Sequence, residues 1–358
     1  MADKHLSTID LDLILSGTRS LWEGMRDQRI FLTGGTGFFG CWLVESFAHI
    51  NRALNLNAHA TILTRNPNAF SSKCPHLVAD PAITLLVGDV RNFSFPDGDF
   101  SFVIHAANEA SARQAVEAPV DMLTTILAGT QRALEFAASH GTSRFLLTSS
   151  GAVYGNQPSA ITHLPESYAG APDPLNPASV YSEGKRTSEL MCALFHKTFG
   201  LECAIARCWA FCGPHLPLDT HFAIGNFIGD ALAGRSIHIK GDGTSSRSYL
   251  YSADLAIWLW TILFRAPSMV PINVGSAREV SILELAQVVA KILNPYAVID
   301  VACQPSPGSA PSRYVPSVDR AKQLLGLYER VNLEESIRRT AAWYGKPGED
   351  ASTATVTS

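Results

Sequence analysis

Residues 31–40 read FLTGGTGFFG, and this stretch decides the fold. The apolar run Arg29-Ile30-Phe31-Leu32 leads into it as a strand, and Cys41-Trp42-Leu43-Val44-Glu45-Ser46-Phe47 leads out of it as a helix. Glycine lets the backbone turn tightly and approach a pyrophosphate, whose charge then sits at the positive end of the following helix. The glycines fall at Gly34, Gly37 and Gly40, a GxxGxxG rather than a GxGxxG spacing. A glycine triplet alone is a weak signal. The order strand, turn, helix makes it a dinucleotide site.

Working outward, residues 60–64 (ATILT) read as a second strand, followed by Arg65. An acid at the end of this strand holds the 2′-hydroxyl of NAD, whereas a nearby arginine favours the 2′-phosphate of NADP. Thr64 and Arg65 therefore remove the usual NAD selector and argue locally for NADP. Residues 83–87 form a third strand ending in Gly88-Asp89-Val90-Arg91, where Asp89 either meets the adenine amino group or caps the next segment. A fourth strand, 102–104, gives way to His105-Ala106-Ala107-Asn108; the small residues allow close approach to a cofactor, and His105 reads as structural. A helical pattern over 119–140 precedes a fifth strand, 144–150, that ends in hydroxyls. Strands alternating with helices in this way predict an α/β chain with a Rossmann-type, doubly wound parallel sheet.

The chain of 358 residues is 46% hydrophobic, enough for a large core in two lobes. A net charge of −4, with no basic run longer than Lys185-Arg186, gives no support to nucleic-acid binding. No uninterrupted apolar stretch is long enough to span a membrane. Residues 1–28 carry acids within their apolar run and do not read as a signal peptide; helical spacing of Leu11, Ile14, Leu15, Leu21 and Trp22 predicts a helical extension that packs on the main domain or on a neighbouring subunit. Seven cysteines without a CxxC pair read as buried free thiols in a reducing cytoplasm, with no metal site. Trp258 and Trp260 cannot share a helix face, so at least one meets another element. Residues 346–358 read as a disordered tail.

The chemistry lies in Tyr181-Ser182-Glu183-Gly184-Lys185, which opens a helical run after the breaker-rich segment 171–177. Tyr181 and Lys185, four apart, share a helix face. A phenol with an ordinary pKa of about 10 is a poor base at neutral pH, and a lysine cation close by stabilises the phenolate. Ser150, ending the fifth strand about 30 residues earlier, supplies a hydroxyl to orient a substrate alcohol.

TGGTGFFG, GDVR, HAA, SSGAVYG and YSEGK, in that order, resemble the extended short-chain dehydrogenase/reductase family, in particular its nucleotide-sugar epimerases, dehydratases and decarboxylases. The resemblance covers roughly residues 29–340. It implies a nicotinamide cofactor, NAD or NADP, that oxidises a sugar hydroxyl, usually at C4, and later returns the hydride. It implies Tyr181 as base, Lys185 as its partner and ribose clamp, and Ser150 as the hydroxyl partner. Cofactor contacts are implied for Gly34, Thr36, Gly37, Phe38, Phe39, Gly40, Thr64, Arg65, Asp89, Val90, Ala106, Ala107, Tyr181 and Lys185. Substrate contacts are implied for Ser150, Gly151, Asn226, Arg247 and Arg313, the two arginines gripping the diphosphate of a nucleotide-diphosphate sugar. The organisation implied is a Rossmann domain over 29–205 and a smaller, interleaved α/β substrate lobe over 206–345. A homodimer is implied through the helices near 119–140 and 181–199.

Departures from the family pattern bear on the reaction. Its dehydratases and decarboxylases carry an acid directly after the Ser/Thr of the fifth strand, to transfer protons beside the C4 ketone. This chain has Gly151 and Ala152 there. A 4-epimerase needs no such acid, so the reading tilts to an epimerase or a simple ketoreductase. The segment 156–176 contains Glu166, Tyr168 and Asp173, and an acid from it stands as a replacement that keeps dehydration or decarboxylation open. Ala210 stands at the usual asparagine of R-x-x-N, and Lys240 at an aromatic.

Overall fold

The computed structural model describes residues 4–107, 112–220, 222–304 and 311–345. Seven parallel strands make the central sheet: β1 (Arg29–Thr33), β2 (His59–Thr64), β3 (Ile83–Val87), β4 (Phe102–His105), β5 (Arg144–Ser150), β6 (Cys203–Cys208) and β7 (Pro271–Val274). Their spatial order is β7-β6-β5-β4-β1-β2-β3. The chain moves outward from β1 to β3, then returns to the other side of β1. The strand order thus reverses between β1 and β4, and the crevice beyond their carboxyl ends is where such sheets take ligands.

Both faces of the sheet are covered, which is why its strands are nearly continuous apolar runs. Side-chain alternation sends Ile30 and Leu32 into one layer and Phe31 into the other. The first layer holds α1 (Thr8–Thr18), α2 (Phe38–Leu54) and, late in the chain, the helix Ser252–Arg265. The second holds α3 (Pro119–Ser139) and α4 (Val180–Phe199), with Phe31, Phe93, Phe100, Phe136 and Phe145 between them and the sheet.

The N-terminal extension packs on the main domain. Leu6, Leu11, Ile14, Trp22 and Met25 are buried in the first layer, and Asp10 accepts hydrogen bonds from Tyr251 Oη at 2.8 Å and Arg339 Nη1 at 2.6 Å. Trp258 and Trp260 are both buried; Trp260 crosses to α2, donating to Ser46 Oγ at 3.0 Å, and its ring lies 4.7 Å from Trp22. A second apolar cluster, including Leu216, Phe227, Ile237, Leu285 and Ile337, forms the core of the smaller lobe. A three-stranded sheet there joins Val280–Ser281, Ser246–Arg247 and Arg313–Tyr314.

One detail corrects the sequence reading of the cysteines: Cys303 is exposed while the other six are buried. The tail at 346–358 and Asn108 lie outside the described residues.

Candidate active site

The glycine turn closes the bottom of the crevice. Gly34 has φ +74°, and a Cβ there would lie 2.4 Å from the Ala106 carbonyl, so the turn after β1 presses directly on the backbone after β4. Thr33 ties the same junction, accepting from Ala107 N at 3.1 Å. Gly40 is just as confined, with a Cβ 2.2 Å from the Gly34 oxygen. Gly37 is different. It is exposed at φ −80°, and a Cβ there would meet only the Gly34 oxygen, at 3.4 Å. Nothing in the chain itself demands glycine at this position. Gly37 is also the N-cap of α2 and has no side chain to cap it, which leaves amide donors of the first turn for an anion. An open cradle at the end of an uncapped 17-residue helix fits a pyrophosphate.

Around this turn the expected cofactor residues are spread as follows. Phe38 and Phe39 are half-buried, with Phe39 edge-on to Phe211 at 5.0 Å. Thr36 offers its carbonyl to Lys73 Nζ at 3.1 Å. Thr64 is buried and its hydroxyl accepts from Asn66 N at 3.2 Å, whereas Arg65 is exposed beyond it. Asp89 pairs with Arg91 at 2.8 Å, and that partner, reinforced by the charge of Arg65, holds its carboxylate below the usual range. Val90 packs on the backbone of α3 at Gly129. His105 is buried between Thr33 Oγ1 at 2.8 Å and Thr130 Oγ1 at 3.3 Å, and burial pushes it down to about 3, so it is a neutral structural ring.

At the other end of the crevice, β5 and α4 bring Ser150, Tyr181 and Lys185 together. Ser150 is buried and caps the short turn Gly151–Tyr154, accepting from Ala152 N at 3.1 Å. Burial pushes the Tyr181 phenol up to about 12, against the pull of the Ser150 hydroxyl beside it. Lys185 donates to the Thr148 carbonyl at 2.6 Å, and burial lowers it to about 8. The phenol is therefore raised rather than lowered by the residues around it.

A second phenol, missed in the sequence, meets Ser150 as well. Burial raises the Tyr314 phenol, against the pull of the Ser150 hydroxyl beside it. Its ring lies 4.3 Å from that of Trp209. A Cβ on Gly151 would come within 2.7 Å of both the Tyr314 hydroxyl and the Trp209 ring, so the space after Ser150 is filled. Buried Asn273 supports this wall, its amide oxygen accepting from Tyr154 Oη at 2.9 Å and Trp209 Nε1 at 3.2 Å.

The two arginines are treated unequally. Arg247 and Tyr314 are register partners on neighbouring strands, and the Arg247 guanidinium lies 5.9 Å from the Tyr314 ring, at the edge of the site. Arg313, one residue earlier on its strand, bonds Glu279 at 2.9 Å and the Ser159 carbonyl at 3.2 Å. Alternation along the strand separates neighbouring side chains, which is why the arginine read from sequence and the tyrosine beside it have different surroundings. Asn226 is half-buried on the helix Ala223–Leu232 of the smaller lobe. Arg207, at the start of the R-x-x-N match, pairs with Glu189 at 2.6 Å and joins β6 to α4.

The acids of the 156–176 segment are used elsewhere. Glu166 is buried and accepts from the Asn273 backbone amide at 2.9 Å, with Arg320 at 3.8 Å. Asp173 is exposed and accepts from Leu175 N at 2.9 Å. Each of these two carboxylates thus accepts from a backbone amide of the chain.

A doubly wound sheet with an open glycine cradle at one end of its crevice and a Ser/Tyr/Lys group at the other is the arrangement of a Rossmann-type dinucleotide enzyme. A model of the NAD dependent epimerase/dehydratase family matches residues 30–275. UDP-glucuronic acid decarboxylase 1 of Arabidopsis thaliana is 30% identical over 317 residues, 88% of this chain and 69% of that protein. UDP-glucuronic acid decarboxylase 5 of the same plant is 30% identical over 314 residues, 87% of each. Among solved structures, the UDP-N-acetylglucosamine 4-epimerase from Methanobrevibacter ruminantium M1 superimposes with a TM-score of 0.76 at 21% identity, covering 89% of this chain and 99% of that one. The chain belongs to the NAD dependent epimerase/dehydratase family, and it is an enzyme of that kind.

Proposed function

We propose that this enzyme is a nucleotide-sugar C4 epimerase working through a transient 4-keto sugar. The observation that carries this reading is the filled space after Ser150: Gly151 has no side chain and no room for one beneath Trp209 and Tyr314. A proton-transferring acid at this position would have to displace Trp209 or Tyr314, which disfavours reactions that need one beside the ketone. Epimerisation needs only that the ketone turn over and be reduced on its other face.

In this mechanism Tyr181 takes the proton of the C4 hydroxyl, and Ser150 orients that hydroxyl. A phenol near 12 ionises at neutral pH only beside positive charge. Lys185 supplies it: one of its three donors is used on the Thr148 carbonyl, which leaves two for the cofactor ribose and the phenol. Bound at the glycine turn, a nicotinamide dinucleotide supplies reversible two-electron oxidation of a sugar alcohol. Tyr314, from the other side, steadies the Ser150 hydroxyl. Arg247 suits a substrate diphosphate by its charge and its place beside Tyr314. With no acid after β2 and Arg65 in its place, the adenosine site accommodates NADP as well as NAD.

The exposed apolar residues Val120 on α3 and Leu190, Leu194 and Phe199 on α4 support a homodimer through these two helices. Among the described residues no helix is long and apolar enough to cross a membrane.

A second reading, UDP-glucuronate decarboxylation, is favoured by the 30% identity to such decarboxylases along most of the chain. One experiment separates the readings. Purified chain is incubated with UDP-glucuronate and, separately, with UDP-hexoses. Exchange at C4 without mass change or net cofactor consumption supports the epimerase. Loss of carbon dioxide supports the decarboxylase, and stoichiometric NADPH consumption a ketoreductase.

A further inference from the structure

Behind the glycine turn, three soft or nitrogen donors from distant segments converge. Cys41 lies in the first turn of α2, just after Gly40. Cys74 is the residue between two short helices, Pro67–Lys73 and Pro75–Val78. His215 sits in the loop that follows Gly213 and Pro214, with φ +69°. One ligand atom from each lies within 4.8 Å of the others. The loop bearing His215 is fastened to α2, since Trp42 Nε1 donates to the Pro214 carbonyl at 2.9 Å. The His215 ring rests on Trp343, with centroids 4.7 Å apart.

Two features of this cluster are costly in an ordinary core. The Nε2 atom of His215 is buried and makes no hydrogen bond among the described residues, and leaving a buried polar atom unsatisfied is destabilising. The buried thiols of Cys41 and Cys74 also lie within 4.8 Å of each other and of a ring nitrogen of His215, and the Cys41 thiol makes a long hydrogen bond to the Thr36 carbonyl at 3.6 Å. A metal ion satisfies all three atoms at once.

We propose that Cys41, Cys74 and His215 form a site for one thiophilic divalent cation, Zn²⁺. A Cys₂His set is a zinc donor set, with three protein ligands and a fourth position left for water. Tetrahedral geometry with Zn–S of about 2.3 Å and Zn–N of about 2.0 Å places the ligand atoms roughly 3.5–3.8 Å apart. A contraction of less than ~1.5 Å from the observed limit suffices for this. Each cysteine binds as the thiolate and releases its proton to solvent. Lys73, next to Cys74 in the chain, has its ammonium on the Thr36 carbonyl at 3.1 Å.

The ion would join the helix that follows the cofactor turn, the segment after β2, and a loop of the smaller lobe. It is a clamp between the two lobes, apart from Ser150, Tyr181 and Lys185. A second group takes Glu45 from the same helix, His76 from the same segment and His5 from the N-terminal extension, and offers no sulfur. It therefore provides an internal control.

The test uses the full chain, reduced and stripped with a chelator, then titrated with Co²⁺. Support is one Co²⁺ per chain, with thiolate-to-cobalt charge-transfer absorption and intense tetrahedral ligand-field bands that Zn²⁺ removes. Cys74→Ser and His215→Asn, the latter tolerant of positive φ, should each weaken binding by more than about tenfold while circular dichroism and cofactor binding stay unchanged. Free thiols with no cobalt spectrum overturn the proposal. So does a Cys41–Cys74 disulfide in chain purified without reductant and free of metal. Cobalt bound without sulfur absorption, or unaffected by His215→Asn, also overturns it.

Discussion

Lys185 on α4 donates to the carbonyl oxygen of Thr148 on β5 at 2.6 Å, and the lysine is buried. That bond fixes the ammonium beside the end of the strand that carries Ser150, four residues along the helix from Tyr181. The cost of burial shows in both groups, with the lysine lowered to about 8 and the phenol raised to about 12.

The lysine shift has a stability consequence. Between pH 8 and its ordinary value of 10.5 the unfolded chain binds a proton at Lys185 that the folded chain has lost, so folding is favoured as pH rises through this window. Urea unfolding of the cofactor-free protein should show wild type gaining up to ~3 kcal/mol on Lys185→Met over that range. A pH-independent difference between the two contradicts the shift.

Removing the Tyr181 hydroxyl leaves the cradle untouched. Tyr181→Phe is expected to lower turnover by on the order of 10²–10⁴-fold while nucleotide released on denaturation is unchanged. Unchanged turnover removes the phenol from the mechanism.

Two glycines of one turn should respond in opposite ways. Gly34→Ala places a Cβ against the Ala106 backbone at positive φ and should cost ~2 kcal/mol or more of stability. Gly37→Ala has room within the chain, so its melting temperature should hold while cofactor affinity falls. Equal destabilisation by both changes would mean that Gly37 serves the fold.

Restoring an acid after Ser150 should not restore acid chemistry. Gly151→Asp drives a side chain into Trp209 and Tyr314, and an overpacked site loses about 1–3 kcal/mol. Thermal unfolding should show that loss together with reduced turnover. A stable variant with new decarboxylase or dehydratase activity would refute the steric argument.

The oligomer can be tested on α4. Leu190 and Leu194 are 58% and 53% exposed, and the double change Leu190→Arg and Leu194→Arg should convert a dimer to monomers in sedimentation velocity without altering the circular dichroism spectrum. A wild-type chain that already sediments as a monomer rules the interface out.

Much of this molecule is legible in local pattern. Apolar runs with both faces buried, broken by Gly34 and by Ala106-Ala107, identify the strands and the crevice, because period and turn chemistry are properties of adjacent residues. The Tyr181/Lys185 spacing works the same way, since one helical turn sets their common face. Tyr314 was not legible: its neighbour Arg313 matched the diphosphate pattern, and only the three-stranded sheet shows that the tyrosine reaches Ser150 while the arginine turns to Glu279. The fate of Glu166 was equally hidden, since its partner is the backbone of a strand more than a hundred residues later.

The sequence by itself determined the sheet, the glycine turn and the Ser/Tyr/Lys group, because short-range spacing and turn stereochemistry encode them. Only the tertiary structure decided that no side chain fits after Ser150, that the phenol and the lysine are both shifted by burial, and that Cys41, Cys74 and His215 share one place. Those properties depend on which distant atoms exclude water from a group or fill the space beside it, and that is set by the packing of the whole chain.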